Sequence, residues 1–141
     1  MAEKDLREGV SPETDELAST LMGDALDLMA AGEEFGVLLA VQCADGDVRS
    51  YEFEDDGPEA CLEGARAQVA SVEGAVRYAI AYEGAVAVEG GAYADALLLE
   101  FGERGYRGYS AFSFVDGKGS GEGFTWTDPA PAGETDPLIA R

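Results

Sequence analysis

Between Ala75 and Val88 the side chains alternate in size. Val76, Tyr78, Ile80, Tyr82, Val86 and Val88 take the even positions, and Ala75, Arg77, Ala79, Ala81, Glu83, Ala85 and Ala87 take the odd ones. A helix would scatter both sets around its circumference, whereas a strand sorts them onto two faces. The chain is thereby committed to a sheet built around one long strand, bulky on one face and small on the other. Gly84 interrupts the bulky set and is expected to mark a bend or bulge.

A strand of that length needs neighbours, and the flanking segments supply them. Phe35 to Cys43 is almost wholly apolar and reads as a buried strand. Asp45-Gly46 is a hairpin signal, with a return strand over Val48 to Glu54. Beyond Gly90-Gly91, three more strands are expected over Asp95 to Phe101, Tyr106 to Val115 and Phe124 to Thr127. Glu103-Arg104-Gly105 and Asp116 to Gly119 are the turns between them.

Two segments carry helical spacing instead. Ser11 can cap a helix whose first position is Pro12, and Glu13, Asp15 and Glu16 suit its positive end. Leu17, Leu21, Ala25 and Leu28 form its stripe and Gly32 its stop, which predicts a helix over 12–31. A second helix is predicted from Pro58 to about Ser71, with Leu62, Ala65, Val69 and Val72 on its apolar side.

The order α-β-β-α-β-β-β-β predicts an α+β fold. The expected form is two layers, with both helices packed on one face of a mostly antiparallel sheet of about six strands. Residues 1–10 are charged and aperiodic and are expected to fray; residues 11–127 make a single domain. Residues 128–141 contain Pro129, Pro131 and Pro137 and read as an extended tail.

Charge narrows the function classes. The 141 residues include 29 Asp and Glu against 9 Lys and Arg, a net charge of -20. Such a surface repels phosphate backbones and anionic lipid, which argues against direct nucleic-acid binding and membrane association. It leaves solubility, attraction to a basic protein partner, or adaptation to high salt. Lysine is scarce, with only Lys4 and Lys118, which fits the last of these. No apolar run is long enough for a secretory signal core or a membrane span, so a cytoplasmic protein is expected. Cys43 and Cys61 are too few for a disulfide framework and read as small buried hydrophobes.

Histidine is absent. That removes the histidine-based triads and dyads, imidazole acid–base chemistry and imidazole zinc sites. Gly108-Tyr109-Ser110 begins like a nucleophile elbow but lacks the closing glycine, so Ser110 is read as a strand residue. Gly117 to Gly123 is glycine-rich with Lys118, yet its order does not fit a phosphate loop and an aromatic strand follows it. Asp45, Asp47, Glu54, Asp55 and Asp56 are carboxylates of the kind that hold calcium or magnesium, but their spacing matches no EF-hand loop. Neither a metal nor a cofactor is expected.

Two constellations remain. Glu100, Glu103 and Arg104 close together could do acid–base or hydrolytic work if burial split the two carboxyl groups. Strand alternation sends Glu100 away from Leu99 and Phe101, towards solvent. The small face of the long strand, with Ala75, Arg77, Ala79 and Ala81, would be a flat contact surface, and Tyr109 and Trp126 would be aromatic anchors beside it.

At Tyr78-Ala79-Ile80-Ala81-Tyr82-Glu83-Gly84, Asp95-Ala96-Leu97-Leu98-Leu99-Glu100 and Glu103-Arg104-Gly105 the chain resembles a group of small uncharacterised bacterial proteins. These share a long tyrosine-containing strand, an aliphatic strand and a Glu-Arg-Gly corner. The resemblance spans about residues 75–115 and implies no activity. The function expected from the residues is a non-enzymatic acidic interaction protein that forms a homodimer or binds a basic protein. The alternatives are a small carboxylate-dependent hydrolase or isomerase, and an acidic nucleic-acid mimic that inhibits a basic partner.

Overall fold

The structure is a computed structural model that describes residues 6–54 and 57–139. Helix α1 spans Pro12–Ala31. Ser11 Oγ accepts the Thr14 N–H at 3.2 Å, and Gly32, at φ 73°, returns its own N–H to the last turn. Helix α2 spans Pro58–Ser71, with Pro58 again in the first turn. The strands are β1 (Val37–Cys43), β2 (Val48–Phe53), β3 (Ala75–Ala87), β4 (Tyr93–Glu103), β5 (Gly108–Asp116), β6 (Thr125–Trp126) and β7 (Ala130–Thr135).

The chain has the predicted α+β order, and its strands form one sheet. Its order is β2-β1-β3-β4-β5-β6, with β7 also paired to β5, and every strand pair is antiparallel. Since β2 and β3 both run antiparallel to β1, helix α2 is the crossover that carries the chain past β1. No helix among the described residues is long and apolar enough to cross a membrane.

The helices do not share a face, which corrects the two-layer expectation. Leu38 and Ala40 of β1, with Ala79 and Ala81 of β3, pack beneath α1. Their neighbours Val37, Leu39, Val41, Tyr78 and Ile80 join Cys61, Ala65 and Val69 of α2 in a second core. Adjacent strand residues point to opposite faces, so these cores lie on opposite sides of the sheet. The cause is β1: Val37 to Val41 are all buried, and a strand apolar at both parities needs cover on both sides.

Three local expectations also change. Pairing of β3 with β4 runs unbroken from Arg77↔Glu103 to Ala87↔Tyr93, so Gly84 makes no bulge. Its missing side chain admits Leu98, whose Cδ1 lies 2.3 Å from where a β-carbon would stand. Residues 130–135, expected as tail, are strand β7; its Pro131 is tolerated because the strand lies at a sheet edge. Of the segment expected to fray, Arg7 is docked: its N–H donates to Gly105 O and its carbonyl accepts from Arg107 N–H, both at 2.9 Å. Residues 1–5 lie outside the described residues.

Candidate functional site

The register between β3, β4 and β5 decides which chemistry can meet. Ile80 faces Glu100, which faces Ser110, and Arg77 faces Glu103. Glu100 and Glu103 are three residues apart on a strand, so they lie on opposite faces of the sheet. Arg104 is exposed in the turn and its N–H donates to Val76 O at 2.7 Å. The proposed constellation of Glu100, Glu103 and Arg104 is therefore not brought together.

Each glutamate has its own centre. Glu100 is not solvent-facing as expected, but only 4% exposed, on the α2 side. Arg66 of α2 reaches it twice, Nε to Oε1 at 3.0 Å and Nη2 to Oε2 at 2.5 Å. Tyr82 adds its hydroxyl to Oε2 at 3.1 Å. The bidentate fork satisfies a carboxylate that would otherwise be costly to bury. Burial first, then the nearby Glu100 charge and the hydrogen bond to it, push the Tyr82 hydroxyl up to about 12.

Glu103 lies on the α1 side. Its Oε1 accepts from Ser11 Oγ, from Thr14 Oγ1 at 2.6 Å and from Arg77 Nε at 3.4 Å. Burial alone would raise this carboxyl, but the Ser11 and Thr14 hydroxyls and the Arg77 charge together hold it below its ordinary value. Arg77 also donates to Gln42 Oε1 at 2.6 Å. This centre ties the start of α1 to the end of β4.

Below Glu100, Tyr78 is almost wholly buried against the α2 core. Gly102 makes room for it: a β-carbon there would stand 2.8 Å from Tyr78 Oη. Neither Tyr78 Oη nor Thr135 Oγ1 beside it meets a partner at full hydrogen-bond geometry among the described residues. Burial pushes the Tyr78 hydroxyl up to about 12, with Thr135 and the Leu138 backbone drawing it back only in part.

The expected contact surface is placed differently. Ala79 and Ala81 are fully buried under α1, and Ala75 belongs to the α2 core, so this part of the alanine strip is not a surface; only Ala85 and Ala87, at its far end, are exposed. Arg77 is held inward by Glu103 and Gln42. Tyr109 and Trp126 sit at opposite ends of the β5 region, because Tyr109 pairs with Phe101 and Trp126 with Val115. Trp126 is 54% exposed and stacks on Phe124 at 6.0 Å. Tyr109 accepts the Gly9 N–H and lines an apolar groove of about 510 Å³ with Val10, Phe101, Pro129 and Pro131.

What the sequence reading missed is on the other face. Helix α2 packs on β1, β2 and β3, and among the described residues no helix packs on the α2 side of β4 and β5, although Leu138 and Ile139 join the α2 core beside Tyr82. Tyr82, Leu98, Phe112 and Phe114 share that face through the pairs Tyr82↔Leu98 and Leu98↔Phe112, and all are half-buried. The Phe112 and Phe114 rings meet edge to face at 5.1 Å. Phe112 and Phe114 were visible in the sequence as one side of a strand; that their side lacks a helix was not.

The remaining motifs are structural. Lys118, in the glycine-rich turn, pairs with Glu83 at 3.0 Å and Glu34 at 3.7 Å, and Gly119 N–H donates to Met29 O. Ser110 is a strand residue whose hydroxyl donates to Gly133 O. Asp45 Oδ1 accepts the Asp47 N–H within the hairpin turn. Asp55 and Asp56 lie outside the described residues, among which no three His, Cys, Asp or Glu side chains are grouped to hold a metal ion. Cys43 and Cys61 are both buried. Comparison with family models, with curated proteins and with solved structures gives no match.

Proposed function

We propose that this is a non-enzymatic acidic interaction protein that self-associates through the helix-free face of β4 and β5. The observation that carries the reading is that face itself, where Tyr82, Leu98, Phe112 and Phe114 lie side by side with no helix above them. Contiguous apolar surface of this kind marks contact sites. Its charged neighbour Glu100 is neutralised by Arg66, so two copies can meet there without opposing carboxylates. The separation of Glu100 from Glu103, each bound to its own arginine, favours a binding role over a paired-carboxylate mechanism.

Sedimentation velocity over a range of concentrations tests it. A dimer that strengthens with KCl, as repulsion between acidic copies is screened, and that Phe112→Asp dissolves, supports the reading. A monomer at every concentration and salt overturns it.

A second reading is a basic protein partner, with nucleic-acid mimicry as one form of it. The use of cations favours it: Arg49, Arg66, Arg77, Arg107 and Lys118 all pair with carboxylates of this chain. Against a net charge of -20 they leave the surface strongly acidic. A partner captured at low KCl and released at high KCl would support this reading; capture indifferent to salt would refute it.

A further inference from the structure

The sheet ends in two unlike edges. At one end the edge is shared by β6, a two-residue strand, and β7, which carries Pro131, follows Pro129, and pairs with β5 through a register shift between Ser110 and Ala111. Proline lacks the N–H that a further strand would need, and irregular pairing twists an edge away from neighbours. At the other end β2 has neither proline nor glycine, and it pairs with β1 without a shift from Val37↔Phe53 to Gln42↔Val48.

The orientation of the free groups on β2 follows from its turn. Cys43 N–H donates to Asp47 O at 2.9 Å, which fixes the alternation of the ladder. Val41–Arg49, Leu39–Tyr51 and Val37–Phe53 are then the bonded pairs, and the N–H and C=O of Val48, Ser50 and Glu52 point away from β1. The same three residues have exposed side chains, with Val48 at 47%.

Charge selects what can join there. Asp45, Asp47 and Glu52 stand along this hairpin against Arg49, which is itself drawn to Asp47 at 3.5 Å. Acidic guards repel an added strand from another copy of this chain, but attract a basic one. We infer that β2 is a strand-addition site for an extended basic segment of a partner protein. The segment would pair antiparallel or parallel with Val48, Ser50 and Glu52 through backbone hydrogen bonds, with its Lys or Arg side chains near Asp47 and Glu52. The inference rests on the second reading above, and it adds the surface and the conformation of the bound segment.

The test uses the full chain and a short capped peptide of alternating lysine and valine. Binding is followed by fluorescence anisotropy, and backbone amides by NMR hydrogen exchange. The expected result is binding that weakens at least about tenfold between low and high KCl, with new protection at the Val48, Ser50 and Glu52 amides. Ser50→Pro, which removes an outward N–H, should abolish binding. Binding that protects other amides, or that survives Ser50→Pro, overturns the edge site and leaves the basic-partner reading standing. No binding of the peptide at low KCl overturns the edge site; capture of a basic protein from lysate would then still support that reading, and failure there as well would end it. If Ser50→Pro does not fold, the exchange pattern of the unsubstituted chain decides alone.

Discussion

Arg66 on α2 grips Glu100 on β4 with both arms of its guanidinium, an ionic tie between that helix and the central sheet. The pair is unequal, since the Arg66 side chain is 40% exposed and that of Glu100 only 5%. Arg66→Ala leaves a buried carboxylate without its cation. We expect a loss of about 2–3 kcal/mol, below the ~3–5 kcal/mol of a fully buried pair because water reaches Arg66. Glu100→Gln should cost less, and the double variant should recover part of the Arg66→Ala loss. Urea unfolding of the three variants checks the order.

The Glu103 centre makes stability fall in acid. Its carboxyl is held below the ordinary value of 4.5 by Ser11, Thr14 and Arg77. A group lowered on folding contributes fully above its unfolded value, and the contribution is lost as pH falls through its folded one. Thermal melts of the parent should therefore drop below pH 4.5, and Glu103→Gln should be less stable at neutral pH with a shallower drop. Parallel curves for the two proteins would refute this.

Tyr78 and Tyr82 govern the alkaline side. Both hydroxyls are raised from 10.0 to about 12, so the fold favours their protonated forms. Their contribution is complete below pH 10 and is lost as pH rises towards 12. Ultraviolet titration of tyrosinate should show two late groups in the folded protein, and Tyr82→Phe should remove one of them.

Glycine substitutions should divide by location. A β-carbon on Gly36 would stand 1.9 Å from the Phe53 carbonyl oxygen, and backbone cannot step aside. Gly36→Ala should cost about 2–3 kcal/mol or prevent β1 and β2 from pairing. Gly23 lies within α1 and a β-carbon there would meet nothing within 4 Å. Gly23→Ala should gain about 0.5–1 kcal/mol, because glycine is a poor helix former. Denaturant midpoints of the two variants should move in opposite directions.

Salt should stabilise the parent. With a net charge of -20, repulsion among surface acids opposes the compact state. Raising KCl shortens the screening length to about 3 Å at 1 M. The melting temperature should climb with KCl and stay level in an equal osmolarity of sucrose beyond its general effect. A flat response to KCl would refute an adaptation to salt.

Much of the fold was legible in local signals. Ser11, Pro12 and Gly32 bound α1 by capping, and the parity of residues 75–87 gave β3. The misplacements came from partners distant in sequence. Glu100 read as solvent-facing because its cation, Arg66, lies 34 residues away on another element. The alanines of β3 read as an open strip, although small side chains are also what a helix packed closely on a strand requires. The doubly apolar run Val37 to Val41 already demanded cover on both faces, and one layer of helices could not supply it. The helix-free face of β4 and β5 could not be read at all, since it depends on where α2 stops.

The unlike ends of the sheet also limit how far assembly can proceed. Were both open, β2 of one molecule could lie against β7 of the next, and the contact would repeat without closing into a ring. Pro131 interrupts β7 and β6 is only two residues long, so that end offers no long unbroken ladder for the repeat to build on. A strand that joins at β2 therefore finds no matching edge at the far end of the sheet, and the arrangement opposes a growing fibre.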